Sequence, residues 1–588
     1  MGKEQPSSNG GGLAPPDALG HGSLRPHGLW AVTRWRLLAG ILAAAIVVCR
    51  ADAGQNLQSP AVPATLDADT ATFVEFAAAF RGNERILDDL ESRIGSLEQD
   101  SGDGTVGGAT SLPAPVEDAK AGEGGKADEK AAPKPPYEVG SDTAFKSRWA
   151  NGIEVETANK DFRVKIGGRT QIDASAFSAG PGPNQPPNAG GLDPPLADTV
   201  NLRRARLRAE GRMYEFYDWV CEYDFANQIN VNNVIYPTEQ DAGPLPSLTD
   251  MWLQTREVPI LGTVRVGNQK DPYGFEHLTS SRWLNFMERS FSQDAFEGPF
   301  NGGFLPGIQF LNTAYDGRIA WQVGEFKNVT NPFGFNNFSG SSQTVGRLVV
   351  LPVYEDEGRK LIHLGVSGRT LEPRDGLTRF RSRGEIRNSP SGPLNSIYAD
   401  TGVLKGTWQN MIGLEFVGNN GPWSFQSEYF GSWLYNAETT KQGPYLTNGM
   451  QPPPGTKVGT VYYQSGYAEV LYFLTGESRT YSLIESRFDR PIPHNNFYVV
   501  RDGGRRGRIS VSEGAWQVGV RYSYLCLNDS GVNGGVLNSL TLGINWQLNP
   551  NARVYFNYDI TNRNFVSVKG YDGSGNINGF GTRLAFDF

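Results

Sequence analysis

Along Val200–Ala226 the chain alternates in steps of two. Ala205, Leu207, Ala209 and Met213 fall on one parity, and Arg204, Arg206, Arg208, Glu210 and Arg212 on the other. Beyond Tyr214 and Glu215, the residues Tyr217, Trp219, Cys221, Tyr223 and Phe225 share one face, opposite Asp218, Glu222 and Asp224. Successive side chains of a strand point to opposite faces, so the stretch predicts a β-hairpin with one apolar, aromatic face and one charged face. Sixteen such segments can be laid along the chain: 161–177, 200–214, 215–227, 248–257, 262–270, 307–315, 318–327, 343–352, 359–370, 408–418, 422–435, 467–476, 513–526, 536–548, 551–562 and 579–588. Apolar-out, polar-in alternation repeated at this length predicts an all-β fold, a 16-stranded antiparallel transmembrane β-barrel.

The connections agree with that reading. Barrels of this kind have short periplasmic turns and long external loops. Pro181–Pro195, Asn227–Ser247, Asp271–Pro306 and Leu371–Thr407 lie in long connections, and Tyr214–Glu215, Asp316–Gly317, Asn419–Gly421 and Asn549–Pro550 in short ones. Gly476–Ser512 breaks the rhythm: it holds either a further strand pair or a segment folded into the periplasmic mouth. The last strand carries Phe580, Leu584, Phe586 and a terminal Phe588 on one parity, which resembles the signal read by the assembly machinery of bacterial outer-membrane barrels.

The amino-terminal part has a different organisation. Residues 1–53 read as a leader and signal peptide. Arg34-Trp35-Arg36 precedes the apolar run Leu37–Val48, and Ala51-Asp52-Ala53 supplies small residues for cleavage after Ala53. A membrane anchor is the competing reading, but the run is short for a span. In 54–100, Phe73, Phe76, Phe80, Asn83, Leu87, Leu90, Ile94 and Leu97 step by three and four, predicting a coiled-coil stalk that self-associates, or a helix that packs on its own chain. Residues 101–160 read as a disordered linker and 161–588 as the barrel.

Composition narrows the class. Of 588 residues, 38% are hydrophobic and 20% charged, with 72 Gly and 23 Tyr. That suits a wall apolar on one face only and excludes a helical membrane protein, which needs runs of about twenty apolar residues. Three Cys are too few for a disulfide scaffold, and five scattered His form no metal-ligand cluster. No Ser, His and carboxylate set suggests a hydrolase, and no phosphate-binding loop or dinucleotide fingerprint is present. The expectation is a non-enzyme without cofactor or metal and without nucleic-acid partners.

Candidate chemistry lies on the charged parities. Arg204, Arg206 and Arg208, with Arg212 beyond, form a ladder with guanidinium groups about 7 Å apart. Arg163, Lys165 and Arg169 on the preceding strand share its face. Arginine stays charged and offers several donors to a phosphate, so a row of weak sites suits anion passage. The competing reading pairs these arginines with Asp218, Glu222 and Asp224 across the hairpin, giving a transverse field without phosphate specificity. Asp271–Pro306 is a second candidate, a long connection with Arg282, Trp283, Glu288 and Arg289 in it. Arg379, Arg381, Arg383 and Arg387 occupy an external loop, where they steer anions to the mouth or are simply solvated.

Several blocks go beyond a generic barrel. VNLRRARLRAEGRMYEFYDWVCEYDFAN, LTDMWLQTREVPILGTVRVGNQKDPYGFEHLTSSRWLNFMERS, LPGIQFLNTAYDGRIAWQVGEF, SLTLGINWQLNPNARVYFNYDIT and GTRLAFDF resemble the phosphate-selective porin O and P family, most specifically in GNQKDPYGFEHLTSSRWLNFMERS. The resemblance implies a homotrimeric, sixteen-stranded outer-membrane porin passing anions such as phosphate. It also implies a loop after the fifth strand that folds into the lumen, and it favours an inward-folded Gly476–Ser512. Asp271–Pro306 corresponds to that constriction loop after the fifth strand, with Arg282, Trp283, Glu288 and Arg289 in it, but it lacks the lysine cluster of the family's phosphate channels. Its partners would be further copies of the chain, outer-membrane lipid, small anions and, through the stalk, peptidoglycan. Alternatives are a sugar or general-diffusion porin, with Trp283 and Tyr273 as a sliding surface, and an envelope-tethering barrel.

Overall fold

A strand edge left bare inside a bilayer finds no water to satisfy it, so membrane-spanning sheets must close. In the computed structural model sixteen strands do so. They are β1 (Arg163–Ala179), β2 (Thr199–Met213), β3 (Tyr217–Asp224), β4 (Ser247–Val258), β5 (Gly262–Lys270), β6 (Phe304–Ala314), β7 (Ile319–Lys327), β8 (Ser342–Glu355), β9 (Lys360–Leu371), β10 (Trp408–Asn420), β11 (Trp423–Thr439), β12 (Lys457–Phe473), β13 (Ala515–Asp529), β14 (Val532–Asn549), β15 (Ala552–Asn564) and β16 (Gly575–Asp587). Each pairs antiparallel with the next, and β16 returns to β1 from Asp587↔Arg169 to Ile577↔Ala179. The structure describes residues 137–186, 189–226, 247–298, 303–328, 342–389, 395–440, 453–501, 508–565 and 571–588. The expected signal peptide and coiled coil lie outside them.

Every predicted strand span overlaps one barrel strand. The largest displacement is β12, expected at 467–476 and found at Lys457–Phe473. Its outward face carries Tyr462 and Gln464, whose polar atoms bond Tyr429, and this mixture hides the alternation. Elsewhere the parity predicts the faces. Ile166, Leu207, Leu253, Val266, Leu348, Leu414, Leu542 and Phe586 are exposed on the outer wall, while Arg169, Gln171, Asp173 and Arg206 are buried inside. One irregularity matters: the β1–β2 register slips between Gln171 and Ile172, and Arg203 and Arg204 both turn inward.

Periplasmic turns are tight. The first has three residues, Tyr214–Phe216, and Tyr214 and Glu215 both take positive φ. Two connections depart from the alternation of lengths. Ser530–Gly531 is a two-residue turn on the external side. The 474–514 connection adds no barrel strand. It holds two small hairpins, Tyr481–Ser482 with Arg487–Phe488 and Tyr498–Arg501 with Arg508–Val511. The first folds into the lumen, where Tyr481 and Phe488 pack on Phe275.

Two expectations need correction. The segment 372–407 is not a solvated external loop. It forms a hairpin, Leu377–Arg383 with Ile397–Lys405, turned into the barrel so that Phe380, Tyr398 and Arg379 are buried. The linker does not run to residue 160 either. Phe145–Trp149 pairs with Ile153–Thr157, which extends the edge of β1 at Ile153↔Ile166. Its Asn151-Gly152 turn, with φ of 53° and 138°, is a hairpin signal readable in the sequence.

The core lies inside the barrel and fills its far side. One cluster joins loop residues Phe291, Phe296 and Phe380 to wall residues Val345, Phe430, Tyr463 and Leu537. A second joins Phe275, Tyr481 and Phe488 to Val349, Leu361 and Val417. The seam is locked by the last residue: Phe588 N donates to Gly168 O at 3.0 Å and Gly168 N to Phe588 O at 2.7 Å. A Cβ at Gly167 would stand 2.2 Å from Phe588 O. Gly167→Val should therefore weaken closure by about 1–3 kcal/mol and lower the temperature at which the folded band is lost on a detergent gel. Gly346→Ala, whose Cβ would meet only Gln322 O at 3.9 Å, should leave that temperature unchanged.

Candidate functional site

The connection from Lys270 to Phe304 is the element that shapes the lumen. It leaves β5, makes a short helix at Phe275–Leu278 after Gly274 (φ 85°), runs across the barrel, turns at Gln293–Glu297 and returns to β6. Its apolar side chains are spaced to reach the inner wall: Tyr273, Phe275, Phe286, Met287, Phe291 and Phe296 are all essentially buried. A chain inside a polar lumen must also satisfy its own backbone, and wall side chains do this. Glu428 accepts from Phe275 N at 2.6 Å and Glu276 N at 2.8 Å. Asn545 Nδ2 donates to Asn285 O at 2.7 Å, Tyr555 OH to Leu284 O at 3.1 Å, and Gln171 Nε2 to Ser281 O at 3.0 Å.

Charge fixes the middle of the loop. Glu288 receives both Nε and Nη2 of Arg203 at 2.9 Å, Nη2 of Arg204 at 3.4 Å and Nη2 of Arg583 at 2.6 Å. Burial pushes this carboxyl up, but the guanidinium groups of Arg203, Arg204 and Arg583 outweigh it and hold it well below the usual range. Further along, Asp294 accepts from Arg383 at 2.7 and 2.8 Å and from Arg387 at 2.8 Å. The second inward hairpin is thus clamped onto the first loop, and Glu385 of the same hairpin accepts from Arg521 of β13 at 2.6 Å.

A cavity of about 630 Å³ remains between the loop and the wall formed by β1–β7. It extends from Asp294, Arg383 and Arg387 to Arg490, Ile492 and Phe588 at the periplasmic end. Fourteen Lys and Arg side chains line it against seven Asp and Glu, so its potential is positive although the chain's net charge is −8. Of the residues predicted from sequence, Lys165, Arg169, Arg204, Arg206, Arg208, Arg282, Trp283, Glu288 and Arg289 line this space. Arg163 and Arg212 do not. They face each other lower in the β1–β2 register, and Arg212 pairs with Asp218 at 2.8 Å.

The ladder is also largely compensated. Arg206 pairs with Asp224 at 2.7 Å and Glu222 at 2.9 Å, Arg169 with Glu222 at 2.9 Å, and Arg208 with Glu210 at 2.7 Å and Asp250 at 3.2 Å. The cations without an acidic partner were not singled out by the sequence pattern, apart from Lys165 and Arg289. Among the described residues no carboxylate lies within ion-pair distance of Arg265, Lys270 or Arg289. Arg265 donates to Gln254 at 2.8 Å and stacks 4.1 Å over Trp252. Lys270 and Arg289 converge on backbone oxygens of the short helix: Lys270 Nζ donates to His277 O, and Arg289 to Glu276 O at 2.8 Å and Thr279 O at 2.6 Å. Arg487 joins them, donating to Leu278 O, though it also pairs with Glu485 at 3.3 Å. The spacing of two that marks a ladder finds residues of one strand; Lys270, Arg289 and Arg487 meet only because the loop and the 474–514 turn fold inward.

Residues 164–588 match the family described as phosphate-selective porin O and P. The chain belongs to that family. It is an integral outer-membrane porin. The porin is 24% identical to Porin O of Pseudomonas aeruginosa over 490 residues, 76% of this chain and 93% of the relative. It is 28% identical to an uncharacterized protein of Caulobacter vibrioides over 479 residues, 78% and 80% of the two chains. The anion-selective porin from Comamonas acidovorans aligns with 73% of the porin and 100% of its own length, at 10% identity and a TM-score of 0.39.

Two predictions concern the loop of the porin. Glu288→Gln removes the charge that three buried arginines share, at a cost of about 3–5 kcal/mol. Single-channel recording should show larger, flickering conductance as the loop detaches. The second concerns pH. Burial, with Glu428 and Glu276 alongside, lifts Glu297 well above its ordinary 4.5, and burial lifts Glu276 despite Arg521. Both hold protons more tightly in the folded loop than in an unfolded chain. Their contribution to the seated loop is therefore complete below 4.5 and is lost as pH rises from 4.5 towards the raised values. Conductance noise should grow on the alkaline side, and Glu297→Gln should flatten that dependence. His277, held down at about 4 by burial, stays neutral throughout that range.

Proposed function

We propose that this porin conducts small anions passively, phosphate among them, through the β1–β7 side of its lumen. The observation that carries the reading is the cation excess lining the cavity, concentrated where Lys270 and Arg289 lack acidic partners. A charged wall in a low-dielectric surround raises the local concentration of the opposite ion, and several weak sites in series let it leave again. Arg169, Arg204, Arg206 and Arg208 contribute to the field, reduced by their partners. Arg282 extends it: Glu222 is 3.8 Å away and already bonded by Arg169 and Arg206. The family description, and the name of the Pseudomonas aeruginosa relative, favour phosphate among the possible anions.

The sugar reading loses its proposed surface. Trp283 lies between Arg490, 4.4 Å from its ring, and Arg553, 5.3 Å away, and Tyr273 is fully buried under Arg369. Neither presents an open aromatic face for a sugar to slide along. We further propose a homotrimer, on the strength of the heptad pattern of Phe73–Leu97; that segment and any cell-wall contact through it lie outside the described residues.

Reversal potentials in a planar bilayer under a salt gradient test the proposal. Anion preference is expected; a cation-selective current would overturn it. Replacing Lys270 and Arg289 by Gln should reduce the preference more than Arg206→Gln, since Arg206 is already neutralised by Asp224 and Glu222. Equal effects would move the selectivity back to the ladder.

A further inference from the structure

The hairpin ahead of the barrel carries a face that the pore does not use. Its register continues the outer wall. Trp149 stands opposite Ile153, Ile153 opposite Ile166, Ile166 opposite Ala209, and Ala209 opposite Cys221. One row nearer the periplasm, Ser147 continues through Val155 and Val164 to Gly211 and Trp219. Directly opposed residues share a face, so Phe145, Ser147, Trp149, Ile153 and Val155 lie on the face that barrel strands turn to lipid. Trp149 is 64% exposed, Ile153 54% and Phe145 50%, beside Ile166 at 50%. The opposite face is polar. Glu154 is buried, Arg148 pairs with Glu156 at 3.3 Å and also with Glu154, and Asn151 lines the cavity.

The position of the hairpin selects its surroundings. Gly152 abuts Phe588, so the hairpin hangs just below the end of β16, on the periplasmic side. Phe145 contacts Phe162, and Phe162 contacts Tyr214 of the first periplasmic turn, with ring centroids 6.5 and 5.0 Å apart. These rings continue the aromatic girdle by which barrel walls meet the headgroup layer. Among the described residues, Phe145–Trp149 pairs only with Ile153–Thr157, which leaves one edge bare. A bare edge is untenable in hydrocarbon but is readily hydrated among headgroups. Lys146, Arg148, Glu154 and Glu156 balance in charge, so no anionic lipid is needed.

We propose that Phe145–Thr157 is a membrane-interface anchor whose Phe145–Trp149–Ile153 face rests in the headgroup and glycerol layer of the periplasmic leaflet. It sets the depth of the seam in the bilayer. Trp and Tyr favour this layer because one part of the ring is apolar and another hydrogen-bonds.

The test uses the full-length protein in phosphatidylethanolamine–phosphatidylglycerol vesicles, with its native cysteines replaced by serine. Nitroxides are placed singly at Ser147→Cys, on the proposed face, and Lys146→Cys, on the opposite one. Collision with oxygen, which enters lipid, is compared with collision with a water-soluble nickel chelate. The oxygen-to-nickel ratio should be several-fold higher for the label at position 147 than for that at 146, and Trp149→Ser should reduce the difference. Equal, water-like ratios at the two positions overturn the proposal. So does strong dipolar coupling between the position-147 labels of two copies, since that result would assign the bare edge to a second chain.

Discussion

Glu288 binds guanidinium groups from both sides of the barrel seam. Arg203 and Arg204 belong to β2 and Arg583 to β16, and β1 lies between them, itself tied to Arg583 through Asp173 at 2.7 Å. One carboxylate on a loop therefore fastens that loop to the closing joint of the wall. The surrounding arginines are reciprocal in their need: a cation buried this deeply is tolerable only when paired or bonded to water. The position of the loop follows, and with it the division of the lumen into a packed side and an open one. The aromatic residues of the loop reinforce this but do not choose the direction, since apolar contact is non-directional.

Charge in the open side is an outcome of competition. β2 supplies closely spaced arginines, and β3 supplies carboxylates at the facing register positions: Arg206↔Asp224, Arg208↔Glu222, Arg212↔Asp218. Cross-strand pairing satisfies much of that charge within the wall. The residual field comes from groups whose nearest polar partners are carbonyls or amides. A carbonyl orients a cation but supplies no compensating charge, as at Lys270 and Arg289. The Gln254 amide does the same for Arg265, which is stacked on Trp252, where the ring face holds the guanidinium in place.

The sequence makes the wall legible and the interior much less so. Alternation is local, and lipid on one face with water on the other reinforces it at every second residue; hence the sixteen strands and their faces could be read directly. The ladder residues Arg204, Arg206 and Arg208 were visible for the same reason, as was the pairing that competes with the ladder. Arg203 was hidden because its inward turn depends on a one-residue register slip against β1. Glu288 could be placed in a narrowing loop, but its bond to Arg583 spans 295 positions, and no periodicity encodes that meeting. Arg379–Arg387 misled because a basic, polar stretch looks solvated. In the structure its charges are satisfied inside the barrel by Asp400, Asp294 and Arg521.

The locking of Phe588 onto Gly168 bears on the order in which the molecule can be made. Phe588 and its bonding partner lie 420 positions apart, the partner in the first strand of the barrel. A continuous sheet cannot exist until β16 has been exported to meet β1. Until then β1 and β16 both present open edges, liable to pair with the wrong chain. Contacts of such long range are slow to form because the intervening chain must first be gathered. The molecule thus needs shelter until β16 reaches β1, and the bonds of Phe588 to Gly168 extend that joint by one residue.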